Sequence, residues 1–148
     1  MQRDFIQKTA RDLIHKFGTN DPFKLCKGLH IPIYYDDTGS IIMGYNTMIN
    51  RVPAIVLNTR NSEFEQIDVC FHELGHNRCG HRENTGFLQR NHLNVKTYGI
   101  EYEANCFMVD AMLEGSMPYE FETKEQYLNY YGVPSWAYNC IDWEHLKY

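Results

Sequence analysis

The chain opens with apolar residues at helical spacing and continues with short apolar runs of strand length. Residues 5–17 carry apolar side chains at i, i+3, i+4 and i+7, which predicts a helix that ends at Gly18. Asp21 followed by Pro22 predicts the N-cap and first position of a second, short helix. Three apolar runs then predict strands at residues 31–35, 41–46 and 52–58, with a loop between the last two.

A capping box marks the start of the next helix. Ser62 is followed three residues later by Glu65, the pair that satisfies the first amide groups of a helix. Gly80 is the type of residue that commonly follows a helix end. We therefore predict a helix from about Glu63 to Cys79, with a core-facing stripe formed by Phe64, Ile67, Phe71 and Leu74.

Further helices are predicted in the C-terminal half. Apolar residues at i, i+3, i+4, i+7 and i+8 make residues 99–113 an amphipathic helix. Residues 125–130 predict another helix, and Ser135 is the N-cap of a last helix through Leu146. The turn between them resembles a helix-turn-helix outline, but basic residues are too few for DNA binding. We predict that these aromatic-rich helices form a cap over the core.

The segment His72-Glu-Leu-Gly-His76 carries the chemistry. Residues i and i+4 share one face of a helix, so both imidazoles point the same way and can bind one metal ion. Glu73 lies beside them, where it can take a proton from water. Two histidines and a glutamate at this spacing are the signature of a zinc metallopeptidase, with Glu73 as the catalytic base.

A catalytic zinc needs a third protein ligand and an open position. The next amphipathic helix offers Glu103 at the edge of its buried side, and we predict His72, His76 and Glu103 as the ligands of one Zn²⁺ per chain. Glu101 points away from Glu103 by about 200° around the helix, which makes it the weaker candidate. Asp110 shares the face of Glu103 and is a candidate to orient a ligand imidazole.

Two groups of residues resemble one known family. His72-Glu-Leu-Gly-His76 followed by His81, and Glu101-x-Glu103-Ala-Asn-x-Phe107, look like the motifs of the ImmA/IrrE family of phage and mobile-element zinc peptidases. The resemblance covers about residues 5 to 118 and is strongest in the two motif helices. The chain departs from the family pattern after Ala111.

The resemblance implies a gluzincin-like site in which His72, His76 and Glu103 hold zinc and Glu73 acts as the base. It also implies a protein substrate, a helix-turn-helix repressor whose cleavage derepresses a phage or mobile element. Regulatory roles also occur in the family, so the alternative is a non-proteolytic regulatory or toxin-like binding protein with a retained zinc site. The intact Glu73 favours the zinc-dependent endopeptidase, because structural zinc needs no base.

Length and composition fit a small enzyme. At 148 residues, with 43% hydrophobic and 22% charged residues, the chain predicts a single domain over residues 1–148. A net charge of −5 argues against direct nucleic-acid binding and suits a basic protein partner. No apolar run is long enough to cross a bilayer. Five cysteines without regular spacing predict reduced thiols in the cytoplasm.

Cys79, His81 and His92 lie near the motif without an assigned role. A thiol at a helix end more often packs as a small hydrophobe than binds metal. His81 is expected to form structural hydrogen bonds, because a fourth protein ligand would close the metal to water. His92 and Tyr98 lie in the long connection after the motif helix and are candidates to stabilise an oxyanion, although a structural connection is the simpler interpretation.

These elements together predict an α+β fold, with a small antiparallel or mixed sheet of about three strands and helices that carry the site. The strand at residues 54–57 is the predicted edge to which an extended peptide substrate would add. Gly75, inside the motif, predicts the close approach of another backbone.

Overall fold

The computed structural model describes residues 2–81, 86–93 and 97–147. Its architecture is α+β, as predicted, with one strand more than expected in a four-stranded mixed sheet. The strands are β1 (Ile33–Asp36), β2 (Ile42–Ile49), β3 (Val52–Asn58) and β4 (Leu88–Gln89). The helices are α1 (Arg3–Phe17), α2 (Pro22–Gly28), α3 (Glu63–Arg78), α4 (Ile100–Leu113), α5 (Lys124–Tyr130) and α6 (Trp143–Leu146).

Local signals in the sequence set the ends of the first three helices. Gly18 follows α1 in the left-handed conformation, with a φ of 65°. The Asp21 side chain accepts hydrogen bonds from the first free amides of α2. Ser62 and Glu65 form the predicted capping box at the start of α3. These predictions are confirmed.

The strand order β1-β3-β2-β4 places β3 inside the sheet. β1 pairs with β3 in parallel, and β2 pairs with both β3 and β4 in antiparallel orientation. The prediction that residues 54–57 form the edge of the sheet is therefore wrong. The five consecutive buried residues at the end of β3 are typical of a strand covered on both faces, which is a central position rather than an edge.

β2 continues to Ile49, three residues beyond its predicted end. Asn50 and Arg51, with φ values of 50° and 67°, close a two-residue turn into β3, so the longer loop predicted here is absent. β4 pairs with β2 only at Ile42 and Gly44. In the described part of the chain, the rest of that β2 edge has no partner strand.

α3 and α4 pack closely at the centre of the molecule. A Cβ built on Gly75 would lie 2.8 Å from the backbone oxygen of Ala104, so the predicted close approach at this glycine is confirmed. Leu74 and Phe107 are fully buried beside this crossing. Phe64, predicted to face the core, is 75% exposed, because the first turn of α3 borders an open cavity.

The C-terminal segment lies over the core in shorter pieces than predicted. The single helix expected from Ser135 to Leu146 is wrong: residues Ser135–Cys140 form a 3₁₀ helix, and α6 begins at Trp143. Asp142 separates the two by capping α6 with its side chain. None of the described helices has the length and apolar character needed to cross a bilayer.

The connection between α3 and α4 was predicted to span residues 82–98. Residues 82–85 and 94–96 lie outside the described part of the chain. The described remainder contains β4 and a 3₁₀ turn over Arg90–His92. The extent of the domain, residues 1–148, stays a prediction.

Candidate metal centre

Three polar side chains of α3 are buried side by side. His72, Glu73 and His76 are each 0% exposed, and their potential ligand atoms lie within 4.8 Å of one another. The α-helical spacing brings the two imidazoles to one face, as the sequence predicts. Polar groups are buried in such numbers only where they have partners or a ligand.

Glu101 closes this cluster from α4. Its Oε2 atom lies 3.0 Å from His72 Nε2, and its Oε1 atom lies 3.0 Å from His76 Nε2. Ligand atoms that each lie about 2 Å from a tetrahedral zinc are separated by about 3.3 Å from one another. Each of these two nitrogen–oxygen distances is therefore close to the separation of two ligands of one zinc ion.

Glu103, the ligand chosen by sequence analysis, does not meet the histidine pair. Its Oε1 atom accepts a hydrogen bond from His81 Nε2 at 2.7 Å. Two residues apart on a helix, Glu101 and Glu103 point about 200° away from each other, so only one of them can face the pair. Glu103 was chosen because it borders the apolar side of α4, but the histidines lie on the other side of that boundary, where Glu101 points.

Asn105 orients His72. Its side-chain oxygen lies 2.6 Å from His72 Nδ1, so the Nδ1–H group donates to it and the neutral ring presents the Nε2 lone pair to Glu101. This is the arrangement in which an outer hydrogen bond fixes the tautomer of a metal-binding histidine. Asp110, considered for this role from the sequence, instead accepts a hydrogen bond from the Arg3 guanidinium at 2.7 Å.

His76 is oriented through a second histidine. The Nδ1 atoms of His76 and His81 lie 3.0 Å apart, and His81 Nε2–H donates to Glu103. One proton between the two Nδ1 atoms joins His76 to His81, and with that proton on His76 its Nε2 lone pair is on the side of Glu101. Glu103 therefore acts on the pair through His81, which forms structural hydrogen bonds as expected.

His72 Nε2 thus lies at hydrogen-bond distance from one carboxylate oxygen, and two such acceptors approach this closely only with a proton or a metal ion between them. Such a proton belongs on His72, because burial lowers the pKa of His76 in spite of Glu101. Burial lowers the pKa of His72, but the hydrogen bond to Glu101, the charges of Glu73 and Glu101 and the hydrogen bond to Asn105 together outweigh burial, and the pKa is raised overall. Burial alone would raise the pKa of Glu101, yet the two histidines hold it well below its ordinary value. A metal ion in place of this proton would contact the Nε2 atoms of both rings.

Two buried atoms of the cluster, Glu73 Oε1 and His76 Nε2, lack hydrogen bonds within the described residues, as does Nδ2 of the neighbouring Asn105. The His76 atom is near Glu101 but is not aligned for a hydrogen bond with it. Unsatisfied buried atoms carry a desolvation cost unless a ligand or water meets them. A metal ion at His76 Nε2 and a water at Glu73 Oε1 would satisfy both, so the residues present fit a metal ion.

Asn46 on β2 fixes Glu73 in place. Its amide nitrogen donates to Glu73 Oε2 at 2.9 Å and to the Glu73 backbone oxygen at 3.0 Å. Burial raises the pKa of Glu73 to about 7, against the opposing effect of His72. A carboxylate with a pKa near neutrality is suited to accept and return a proton.

Asn46 and Asn105 are not among the site residues predicted from the sequence, and Glu101 is the weaker candidate there, although both histidines approach it in the structure. The i, i+4 spacing of Glu101 and Asn105, which matches that of His72 and His76, was a usable signal. Asn46 is the last residue of the predicted strand 41–46, and no spacing in the sequence pairs it with Glu73. Cys79 is buried with a pKa raised to about 12, chiefly by burial, and in the described residues the metal-type cluster contains no cysteine.

An α+β fold in which a His-Glu-x-x-His helix buries its motif beneath a carboxylate from a second helix is of the metallopeptidase class. The chain belongs to the peptidase family described as the IrrE N-terminal-like domain, whose model matches residues 26–137. The family resemblance seen in the sequence is thereby confirmed.

One similar protein comes from a phage. The chain is 31% identical over 147 residues to "Uncharacterized immunity region protein 2" of Bacillus phage phi105. The alignment covers 96% of this chain and 92% of the relative. No solved structure matches the chain significantly.

Proposed function

We propose that this protein is a zinc-dependent endopeptidase that binds one zinc ion per chain through His72, His76 and Glu101 and uses Glu73 as its general base. The observation that carries the proposal is the convergence of both histidine Nε2 atoms on the Glu101 carboxylate, beside a buried Glu73 oxygen that lacks a hydrogen bond. Family membership supports peptidase activity. Glu103 is reassigned from ligand to the residue that positions His76 through His81.

Individual residues of the chain have separate roles in the proposed peptide hydrolysis. Bound zinc supplies a Lewis acid that polarises a carbonyl and makes water a better nucleophile at neutral pH. Glu73 Oε1 takes the proton of the attacking water and returns it to the leaving amine. Asn46 holds the other Glu73 oxygen, so that the base keeps one orientation during both transfers. His92 borders a cavity beside Glu101, and we assign it the role of oxyanion donor.

We place an extended substrate along the edge of β2 beyond Gly44, which no strand of the described residues covers. Asn46 belongs to this stretch and contacts Glu73, so a peptide paired here would pass the base. Added strands gain affinity from main-chain hydrogen bonds and specificity from side-chain pockets. A cavity of about 370 Å³, bordered by Asn46, Arg78 and His81, lies beside this edge and offers one such pocket.

The substrate we propose is a helix-turn-helix repressor of a phage or mobile element, acted on in the cytoplasm. The family resemblance implies this substrate class, and the phage relative is named for an immunity region. A DNA-binding repressor is basic at its contact surface, which suits the net charge of −5 of this chain.

Replacement of Glu73 by Gln tests the proposal. The parent protein and the Glu73→Gln variant are each co-expressed with a repressor from the same mobile element, and the repressor is analysed by intact mass. We expect the parent to cleave it and the variant to lose about 10²–10⁴-fold in cleavage rate, because general-base catalysis is removed. Zinc content and fold should be unchanged, since Gln keeps the size of the side chain.

Glu125→Gln is the matched control, because it removes the same charge from an exposed position on α5. It should cleave like the parent. Equal cleavage by parent and Glu73→Gln would exclude Glu73 as the base. If both forms relieve repression and leave the repressor intact, the peptidase hypothesis is wrong and the protein acts as a non-proteolytic binding protein.

A further inference from the structure

A second cavity, of about 710 Å³, opens at the N-terminal half of α3. The start of α2, the first two turns of α3 and the end of α5 form its walls. Its described lining includes none of the residues of the metal centre. A volume of this size is within the range of pockets that bind ligands.

Aromatic side chains surround the mouth of this cavity. Phe64 is 75% exposed, Tyr130 is 73% exposed and Tyr35 is 56% exposed, and all three border it. Ile67 and Phe71 extend the apolar wall inward. Soluble proteins rarely expose large apolar side chains together, and aromatic residues are enriched where proteins meet partners.

Asp68 lies inside this apolar surround. Its side chain borders the cavity and the residue is only 8% exposed. In residues 2–81, 86–93 and 97–147, no group donates a hydrogen bond to its carboxylate and no cation pairs with it. Burial, together with the nearby Glu65, raises the pKa of Asp68 to about 7. A buried carboxylate without a partner is costly to the fold.

Asp110, a buried acid elsewhere in the molecule, provides a comparison with Asp68. It is also largely buried, but the Arg3 guanidinium forms an ion pair with it. Beside Asp68, the cavity takes the position that Arg3 has beside Asp110. None of the described residues that line the cavity is a lysine or arginine. Glu63 adds a second, exposed acid to the same wall. The cavity thus has the charge and the aromatic walls that complement a cation on an apolar stem.

We propose that this cavity binds an arginine or lysine side chain of a protein partner, with the cationic group against Asp68 and the aliphatic stem between the aromatic rings. The three exposed rings extend the contact surface beyond the cavity, which a protein would cover and a free amine would not. The site lies apart from the metal centre, and the inference does not depend on peptidase activity.

The test uses the full chain and a capped tripeptide, acetyl-Ala-Arg-Ala-amide, with binding followed by ¹H–¹⁵N NMR. We expect the peptide to shift amide signals from the first two turns of α3. A peptide with citrulline, the neutral isostere of arginine, should bind at least about tenfold more weakly, the loss expected when a charge-assisted hydrogen bond is removed. Asp68→Asn should weaken the arginine peptide by a similar factor.

Two further variants make the result specific. Asp4→Asn applies the same substitution to an exposed acid on α1 that does not line the cavity, and it should bind like the parent. Phe64→Ala removes an exposed ring and should weaken binding without lowering the melting temperature. Equal binding of the arginine and citrulline peptides, or unchanged binding by Asp68→Asn, would overturn the proposal. If free agmatine binds in an Asp68-dependent manner and the peptide does not bind, the ligand of the cavity is a free amine and not a protein side chain.

Discussion

The two halves of α3 both bury a carboxyl group, but they surround it differently. In the C-terminal half, Glu73 is held by Asn46 and lies among two oriented histidines. In the N-terminal half, Asp68 has no such partner among the described residues and faces a cavity with aromatic walls. Burial raises the pKa of each carboxyl to about 7. The same shift in pKa therefore accompanies two different surroundings, one filled by hydrogen-bonded polar side chains and one bordered by a cavity.

The surrounding polar groups make the difference. In the candidate metal centre, hydrogen bonds with Asn105 on α4 and with His81 orient both imidazoles, and His81 is in turn held by Glu103. At Asp68 no such network exists in the described structure, and the cost of burial remains until a cation enters. A perturbed pKa marks both places as functional candidates, but only the network distinguishes a reactive site from a binding site.

The largest expected effect concerns the ligand from α4. Glu101→Gln should abolish stoichiometric zinc binding, because it removes a charged ligand from the histidine pair. Glu103→Gln should keep one zinc per chain but weaken its affinity by about 10–100-fold, the usual effect of losing an outer hydrogen-bond partner. Metal analysis and competition with a chelator measure both. Full zinc loss in Glu103→Gln with normal binding in Glu101→Gln would restore the assignment made from the sequence.

A smaller effect is expected from the pH dependence of stability at Asp68. Its folded pKa, about 7, lies above the ordinary aspartate value of 3.8, so its contribution to stability is fully present below about pH 4 and is lost as the pH rises to about 7. Relative to Asp68→Asn, the parent should lose on the order of 2–4 kcal/mol of unfolding free energy across that window. Titration of the metal centre cancels in this comparison.

Urea unfolding of both proteins between pH 4 and pH 8 measures this difference, with Asp4→Asn as the control. A difference between parent and Asp68→Asn that stays constant with pH would show that Asp68 is not held in an unfavourable environment. The contrast between the two halves of α3 would then disappear.

The smallest effect tests the close packing behind the metal centre. Gly75→Ala should destabilise the fold by about 1–3 kcal/mol, as overpacking does, because the new Cβ would meet the Ala104 backbone oxygen at 2.8 Å. This outweighs the gain in helix propensity of about 1 kcal/mol. Gly86→Ala, where a Cβ would meet nothing within 4 Å, should be neutral. Denaturant midpoints compare the two, and a more stable Gly75→Ala would mean that α3 and α4 can separate freely.

The sequence by itself determined the local features of this protein. The capping box at Ser62, the N-cap at Asp21 and the helical spacing of His72 and His76 depend on residues within a few positions of one another. Such features survive any arrangement of the remaining chain. For the same reason, the motif helix, its metal-type cluster and the family could be identified without coordinates.

Only the tertiary structure determines which residues lie opposite each helix or strand. Parallel pairing with β1 made β3 a central strand, and the rotation of α4 against α3 brought Glu101, rather than Glu103, to the histidines. Asn46 reaches Glu73 from 27 residues away, and Asp68 faces a cavity lined by residues of α2, α3, α4, α5 and β1. Each of these contacts depends on packing between elements distant in sequence, and hydrophobic periodicity fixes which face of an element is buried but not which neighbour covers it.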